Sequence, residues 1–144
     1  VSPTTSETRL TTTTPWGNAE PHFDACALAG AAGAGFVGRE LTRHVPKLKE
    51  LIKAGLQYEG FAFVEVMSDC TEIFGRKNDL GSSPEMMLRQ KSEIRPDAYR
   101  DTVDTPFRAH SLPTGILARN ERPEYGAAYR QYAARARAAN GKNG

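Results

Sequence analysis

The sequence is poor in cysteine, aromatics and long apolar runs, and each shortage closes off a class of protein. Two cysteines, Cys26 and Cys70, occur in 144 residues. That is too few for a disulfide scaffold, and a chain of this length has no need of one. No apolar stretch approaches the roughly 20 residues that cross a bilayer. The N-terminus lacks the basic stretch and apolar core of a secretory signal. A cytoplasmic protein with no membrane partner is the expectation. No C-x-x-C or H-x-x-x-H pairing is present, so the sequence spells out no zinc site. The glycine run GAAGAG at 30–35 follows a helix and precedes a strand. That order is the reverse of a loop that aims helix N-terminal amides at a phosphate, so it reads as tight helix-to-strand packing.

What is present is enough for one core. Hydrophobic residues make up 39% of the chain and charged residues 25%, with a mean hydropathy of −0.54, the balance of an ordinary globular domain. The net charge of +2 hides an asymmetry. Residues 1–117 carry 13 basic and 15 acidic side chains, whereas residues 118–144 carry 6 basic and 2 acidic. A basic tail suits nucleic acid or an acidic protein surface. Spread through an alanine-rich stretch, however, its charges read better as a solvated helix face, and nucleic acid is not the expected partner. The chain opens at Val1 without a methionine, as a piece of a longer chain would.

The first 22 residues hold seven threonines with Pro3, Pro15, Pro21 and Gly17, which predicts an extended loop anchored by Leu10 and Trp16. Residues 24–33 predict a helix capped by Asp24, whose carboxylate suits the free amides of a first turn. Cys26, set among alanines there, reads as a small buried apolar residue. A short strand is expected at 35–38. Pro46 then opens a helix whose Leu48, Leu51, Ile52 and Leu56 form one stripe, with Gly60 beyond its end. The run FAFVEVM at 61–67 predicts a central parallel strand covered on both faces. Strand, helix and strand at this spacing make a right-handed βαβ unit, so the fold class is α/β. Residues 71–117, punctuated by Gly75, Gly81, Pro84, Pro96, Pro106 and Pro113, predict an irregular wrap with a short helix at 83–91. Residues 122–140 predict a final helix with Tyr125, Tyr129 and Tyr132 on one packing face.

Open parallel sheets place ligands beyond the carboxyl ends of their strands. Cys70 stands there, just after the 61–67 strand, and three readings compete for it: a buried structural thiol, a nucleophile, or a metal or cluster ligand. A nucleophile needs a base, and His22, His44 and His110 stand at no spacing that commits them to it. Thr4 and Thr5 are candidates for a ligand-facing wall, or equally for a turn held by threonine hydroxyls.

SPTT at 2–5, TTPWGNAEPHFDACALAGAAGAGFVGR at 13–39, GFAFVEVMSDCTEIFGRKN at 60–78 and LPTGILARNERPEYGAAY at 112–129 belong together. Jointly they resemble the C-terminal part of the thiamine diphosphate-binding β subunit of 2-oxoacid:ferredoxin oxidoreductases. The resemblance implies a partial parallel-sheet thiamine diphosphate-binding fold over residues 1–70 and a β-subunit extension over 71–144. It implies oxidative decarboxylation of a 2-oxoacid, 2-oxoglutarate favoured over pyruvate, to an acyl-CoA with electrons passed to ferredoxin. The implied cofactors are thiamine diphosphate, Mg2+ and a [4Fe–4S] cluster, and the implied partners are the α subunit, ferredoxin, CoA and the 2-oxoacid. By the same resemblance Cys70 is the fourth cluster ligand, with the other three cysteines upstream of Val1, and Thr4 and Thr5 lie near thiamine diphosphate. No catalytic residue is assigned, and the chain alone is expected to be inactive. The alternative is a non-catalytic subunit-docking module, with a nucleic-acid-binding basic tail a remote third.

Overall fold

A computed structural model describes residues 2, 4–93 and 112–140. Val1, Pro3, His110, residues 94–111 of the expected wrap (Pro96 and Pro106 among them) and residues 141–144 lie outside the described residues.

Helix α1 spans Ala25–Ala31, and the Asp24 carboxylate accepts from the Ala27 N–H at 3.0 Å, the cap its position predicts. The helix stops at Gly33, whose φ of +85° belongs to the left-handed region that favours glycine. Strand β1 runs Phe36–Leu41 and helix α2 Val45–Gln57 with Pro46 in its first turn. Strand β2 covers Ala62–Met67, followed by a π-helical turn at Thr71–Gly75. Helix α3 spans Ser83–Glu93, strand β3 Gly115–Arg119 and helix α4 Tyr125–Asn140. Ser82 donates through both its N–H and its hydroxyl to Glu85 at 2.7 Å, closing the start of α3 as a capping box does.

Among the described residues the sheet has three strands in the order β2–β1–β3, with β1 parallel to β2 and antiparallel to β3. Both faces of β1 are covered. Gly38 lets α2 lie directly on the strand: a Cβ there would come within 2.5 Å of Leu51 Cδ1. Burying Leu51 at that contact is worth about 1.5–3 kcal/mol. On the opposite face Val37 packs with Cys26 and Ala34 in a small core, joined by Ala29, Phe63, Leu117 and Ala118.

The α/β class and the βαβ unit stand, but several local expectations change. The central strand is β1, buried at all six positions, and it extends through Arg39 and Glu40 rather than ending at Gly38. The apolar 61–67 run supplies the neighbouring, half-buried β2. Charge misleads here, because the buried charges of β1 are hydrogen-bonded within the fold. Strand β3 begins at the end of the expected wrap and runs two residues past it, and it pairs with β1 from a segment carrying only Ile116 and Leu117 as large apolar residues. The α2 stripe is buried only in part: Leu51 is inside and Leu48 half-buried, while Ile52 is 41% and Leu56 83% exposed. The tyrosines of α4 do not form a buried packing face. Tyr125, Tyr129 and Tyr132 are 80%, 62% and 67% exposed, and the first two stack with ring centroids 6.0 Å apart. No helix among the described residues is long and apolar enough to cross a membrane.

Candidate functional site

Beyond the carboxyl ends of β1 and β2 lies a cleft of about 680 Å³. One wall is the N-terminal loop from Thr4 to Arg9, the floor is Arg39, Glu65 and His22, and the far wall carries Asp69, Cys70, Phe74, Arg89 and Gln90. Thr4, Thr5 and Cys70 therefore open onto one space although 65 or more positions separate the threonines from the cysteine.

The loop is built from its own polar groups. Asn18, only 7% exposed, donates its amide to the carbonyls of Thr5 at 2.8 Å and Glu20 at 2.9 Å. Backbone bonds Thr8 N–H to Asn18 O and Asn18 N–H to Arg9 O cross-tie the same stretch. Thr4 and Thr5 are partly engaged within their own turn: Thr5 Oγ1 accepts from the Ser2 N–H at 3.2 Å, and the Thr4 hydroxyl lies 2.9 Å from Ser2 Oγ. Each hydroxyl still has lone-pair capacity to face the cleft.

Cys70 opens the π-helical turn, with its carbonyl accepting from the Gly75 N–H at 2.8 Å. Its thiol is exposed. The amides of Phe74, then Ile73 and Glu72, favour the anion and hold its pKa below the ordinary thiol value, while the Glu72 carboxylate opposes them. The two carboxylates flanking the thiol are themselves partnered. Asp69 accepts from Gln90 Nε2 and Glu72 pairs with Arg76 at 3.0 Å.

The floor holds a buried ion triad. Arg39 is 1% exposed, and its guanidinium donates to Asp24 and Glu65 at 2.5 Å each. Burial disfavours its charge, but the bonds to Glu65 and Asp24 more than offset this and raise its pKa. The pair Arg39–Glu65 follows from register, because these residues sit directly opposite in the parallel ladder. Asp24, Cys26 and Glu65 place their ligand atoms within 4.8 Å of one another. The Arg39 cation already meets the two carboxylates, however, and Cys26 is held as a thiol. Burial, aided by Glu65 and opposed by Arg39, pushes its pKa up to about 12. Its S–H donates to Gly38 O at 3.7 Å and Glu65 Oε2 at 3.5 Å, so this cluster is structural. His22 adjoins the triad, and burial lowers its pKa against the pull of Asp24. His44 stands apart at the start of α2, 3.0 Å from Glu40.

Sequence reasoning singled out Thr4, Thr5 and Cys70 and missed Arg9, Arg39, Glu65, Arg89 and Gln90. The available signal was one charge at matching depth in each strand, Arg39 in FVGREL and Glu65 in AFVEVM. Arg89 and Gln90 reach the cleft through the docking of α3, which no local pattern foretells.

No family model matches the chain. Against curated proteins it is 45% identical over 126 residues to the 2-oxoglutarate synthase subunit KorB of Methanothermobacter marburgensis, covering 86% of this chain and 44% of that one. It is 35% identical over 127 residues to the same subunit of Methanocaldococcus jannaschii, covering 87% and 46%. The chain is a relative of the KorB subunits. It spans less than half the length of these KorB relatives. A solved 2-oxoglutarate:ferredoxin oxidoreductase from Magnetococcus marinus, with 2-oxoglutarate, coenzyme A and succinyl-CoA bound, superposes with a TM-score of 0.68 over 93% of this chain and 46% of that one. At 22% identity that likeness speaks for the fold. The resemblance read from the SPTT, GFVGR and GRKN segments thus agrees with the KorB relatives, and the α/β reading agrees with the solved structure.

Proposed function

We propose that this KorB relative forms part of the β subunit of a cytoplasmic 2-oxoacid:ferredoxin oxidoreductase, with 2-oxoglutarate the favoured substrate. In the whole enzyme the 2-oxoacid loses CO2 and two electrons, the electrons leave singly to ferredoxin, and the CoA thiol takes the acyl group. The observation that carries the reading is the 45% identity to a 2-oxoglutarate synthase subunit across 86% of the chain. On this reading residues 1–70 contribute to the thiamine diphosphate-binding domain and 71–144 form the subunit's extension.

The donor set fits the implied cofactors. A cluster is held by thiolates, and Cys70 is the exposed thiol whose anion the nearby amides favour. Cys26, buried and held protonated, does not fit. Cys70 would be one ligand of a [4Fe–4S] cluster, the others coming from outside this sequence. Thr4 and Thr5 would offer hydroxyls along the wall facing thiamine diphosphate and its Mg2+. When bound, thiamine diphosphate supplies an electron sink for decarboxylation and the cluster a one-electron carrier. This chain's own residues shape the space: the threonine loop closes one side, and the Arg39 triad, one cation between two carboxylates, forms the floor.

The test is anaerobic co-production of the full-length β subunit with its α subunit. The expected result is a brown complex that reduces a viologen dye only when 2-oxoglutarate and CoA are supplied. Cys70→Ala should lose colour and iron, and the 144-residue chain alone should turn nothing over. A complex without 2-oxoacid-dependent reduction would overturn the reading. A second reading, a subunit-docking module, draws on the exposed tyrosines of α4. On that reading, deleting residues 125–140 should dissociate the complex.

A further inference from the structure

One side chain outside the cleft ties its two walls together. Asn78 follows the π-helical turn that begins at Cys70, and its amide makes three hydrogen bonds. Nδ2 donates to Leu10 O at 3.0 Å and to Phe74 O at 2.9 Å, while Oδ1 accepts from the Leu10 N–H at 2.8 Å. The orientation of the amide is settled by these partners, because rotating it would set its oxygen against two carbonyls. Leu10 directly follows the Thr4–Arg9 wall, and Phe74 lies within the turn carrying Cys70. A single residue thus grips both the donor and the acceptor of a backbone unit 68 positions away, as a neighbouring strand would, and also the turn that presents the thiol. The grip is set beside backbone of unusual conformation: Thr8 and Asp79, on the two segments, have φ of +68° and +50°. Such positions persist where their surroundings hold them in place.

We propose that Asn78 is a positioning residue that sets the distance between the threonine wall and Cys70. It acts as a latch on the cleft and touches no substrate. The inference rests on the functional reading above, since it concerns two walls that would hold different cofactors. Loosening the latch leaves each wall's chemistry in place and changes their separation, and misplacement on the scale of 1 Å costs up to about 100-fold in rate.

The test uses Asn78→Ala in the full-length protein, with and without its α subunit. Amide hydrogen exchange should speed up at Leu10 by about tenfold, as expected for the loss of the part-buried hydrogen bond its N–H donates, while Phe36–Leu41 keep their protection. In the assembled enzyme, kcat should fall by about 10- to 100-fold. Iron content should be unchanged and the electron paramagnetic resonance signal of the reduced cluster broadened. A residue serving stability alone would leave that signal and the kcat of the folded fraction untouched, and this outcome overturns the proposal. Unchanged exchange at Leu10 overturns it as well. If Asn78→Ala loses protection in β1, Asn78→Ser, which keeps a short polar side chain, is read by the same criteria. Should the unmutated complex show no 2-oxoacid-dependent turnover, the functional reading fails, and the Leu10 exchange still decides whether the latch exists.

Discussion

The two cysteines are the same side chain in opposite surroundings. Cys26 lies against β1 with 3% of its surface exposed, its S–H turned toward a backbone carbonyl and the Glu65 carboxylate. Cys70 stands in the open at the mouth of a backbone turn whose amides point toward its sulfur. One environment raises the thiol pKa to about 12 and the other lowers it. The difference teaches that reactivity here is assigned by a thiol's burial and by the groups it meets. At Cys26 burial, aided by the Glu65 carboxylate, suppresses the anion, and at Cys70 backbone N–H groups invite it.

The largest test of that contrast is alkylation of the iron-free protein. At pH 8 a thiol with a pKa near 12 is ionised to only about one part in ten thousand, whereas one held below its ordinary value is ionised to a far larger fraction. Iodoacetamide should therefore modify Cys70 at least about a hundredfold faster than Cys26, as read by peptide mass spectrometry over time. Comparable rates would mean that the region around Cys26 opens freely and the contrast is lost.

The surroundings of Cys26 depend on Arg39. Replacing it in Arg39→Met removes the cation between Asp24 and Glu65, which are only 15% and 18% exposed. Breaking a buried ion set in this way costs about 3–5 kcal/mol, a large part of the 5–15 kcal/mol typical of a domain. Urea unfolding should show the loss as a lower midpoint. A change under about 1 kcal/mol would mean that the carboxylates find water, contrary to a closed floor.

A smaller effect separates the two thiols by pH. The folded pKa of Cys26 is raised, so the unfolded chain gives up its proton first as pH climbs. Its contribution to stability is then complete below the unfolded value of ~8.5 and is lost progressively from there toward about 12. The urea midpoint of the wild type should fall between pH 8 and 10 more steeply than that of Cys26→Ala. Parallel slopes would place the thiol in contact with water.

The contrast also marks how far the sequence could be read. The Asp24 cap, the Pro46 start of α2 and the burial of Cys26 were legible because each depends on neighbours within a turn or a stripe. Cys70 was legible as a strand-end residue, and its exposure follows from that place. Arg39 was not, because a charge in a strand normally signals solvent. Here it is buried only because residues 15 positions before and 26 after it bring carboxylates to its guanidinium. Strand β3 was invisible for a related reason: its place beside β1 is fixed by pairing across the sheet, and its own five residues carry little pattern. Cooperation between distant segments made the cleft, and the two walls had no local signature of each other beyond the family resemblance.

The smallest effect lies beside Cys70 itself. Glu72 acts on the thiol in two senses: its backbone N–H lowers the pKa and its carboxylate raises it. Glu72→Gln keeps the amide and removes the charge, so the pH midpoint of Cys70 alkylation should move further down. The exposed Glu72–Arg76 pair, at 72–74% side-chain exposure, should be worth at most about 0.5 kcal/mol to folding, so the urea midpoint should stay where it was. An upward shift in the alkylation midpoint would mean that the carboxylate holds the turn in the geometry that aims its amides at the sulfur. The backbone of the turn would then depend on the Arg76 pair, and the thiol's low pKa would be a property of side chains as much as of N–H groups.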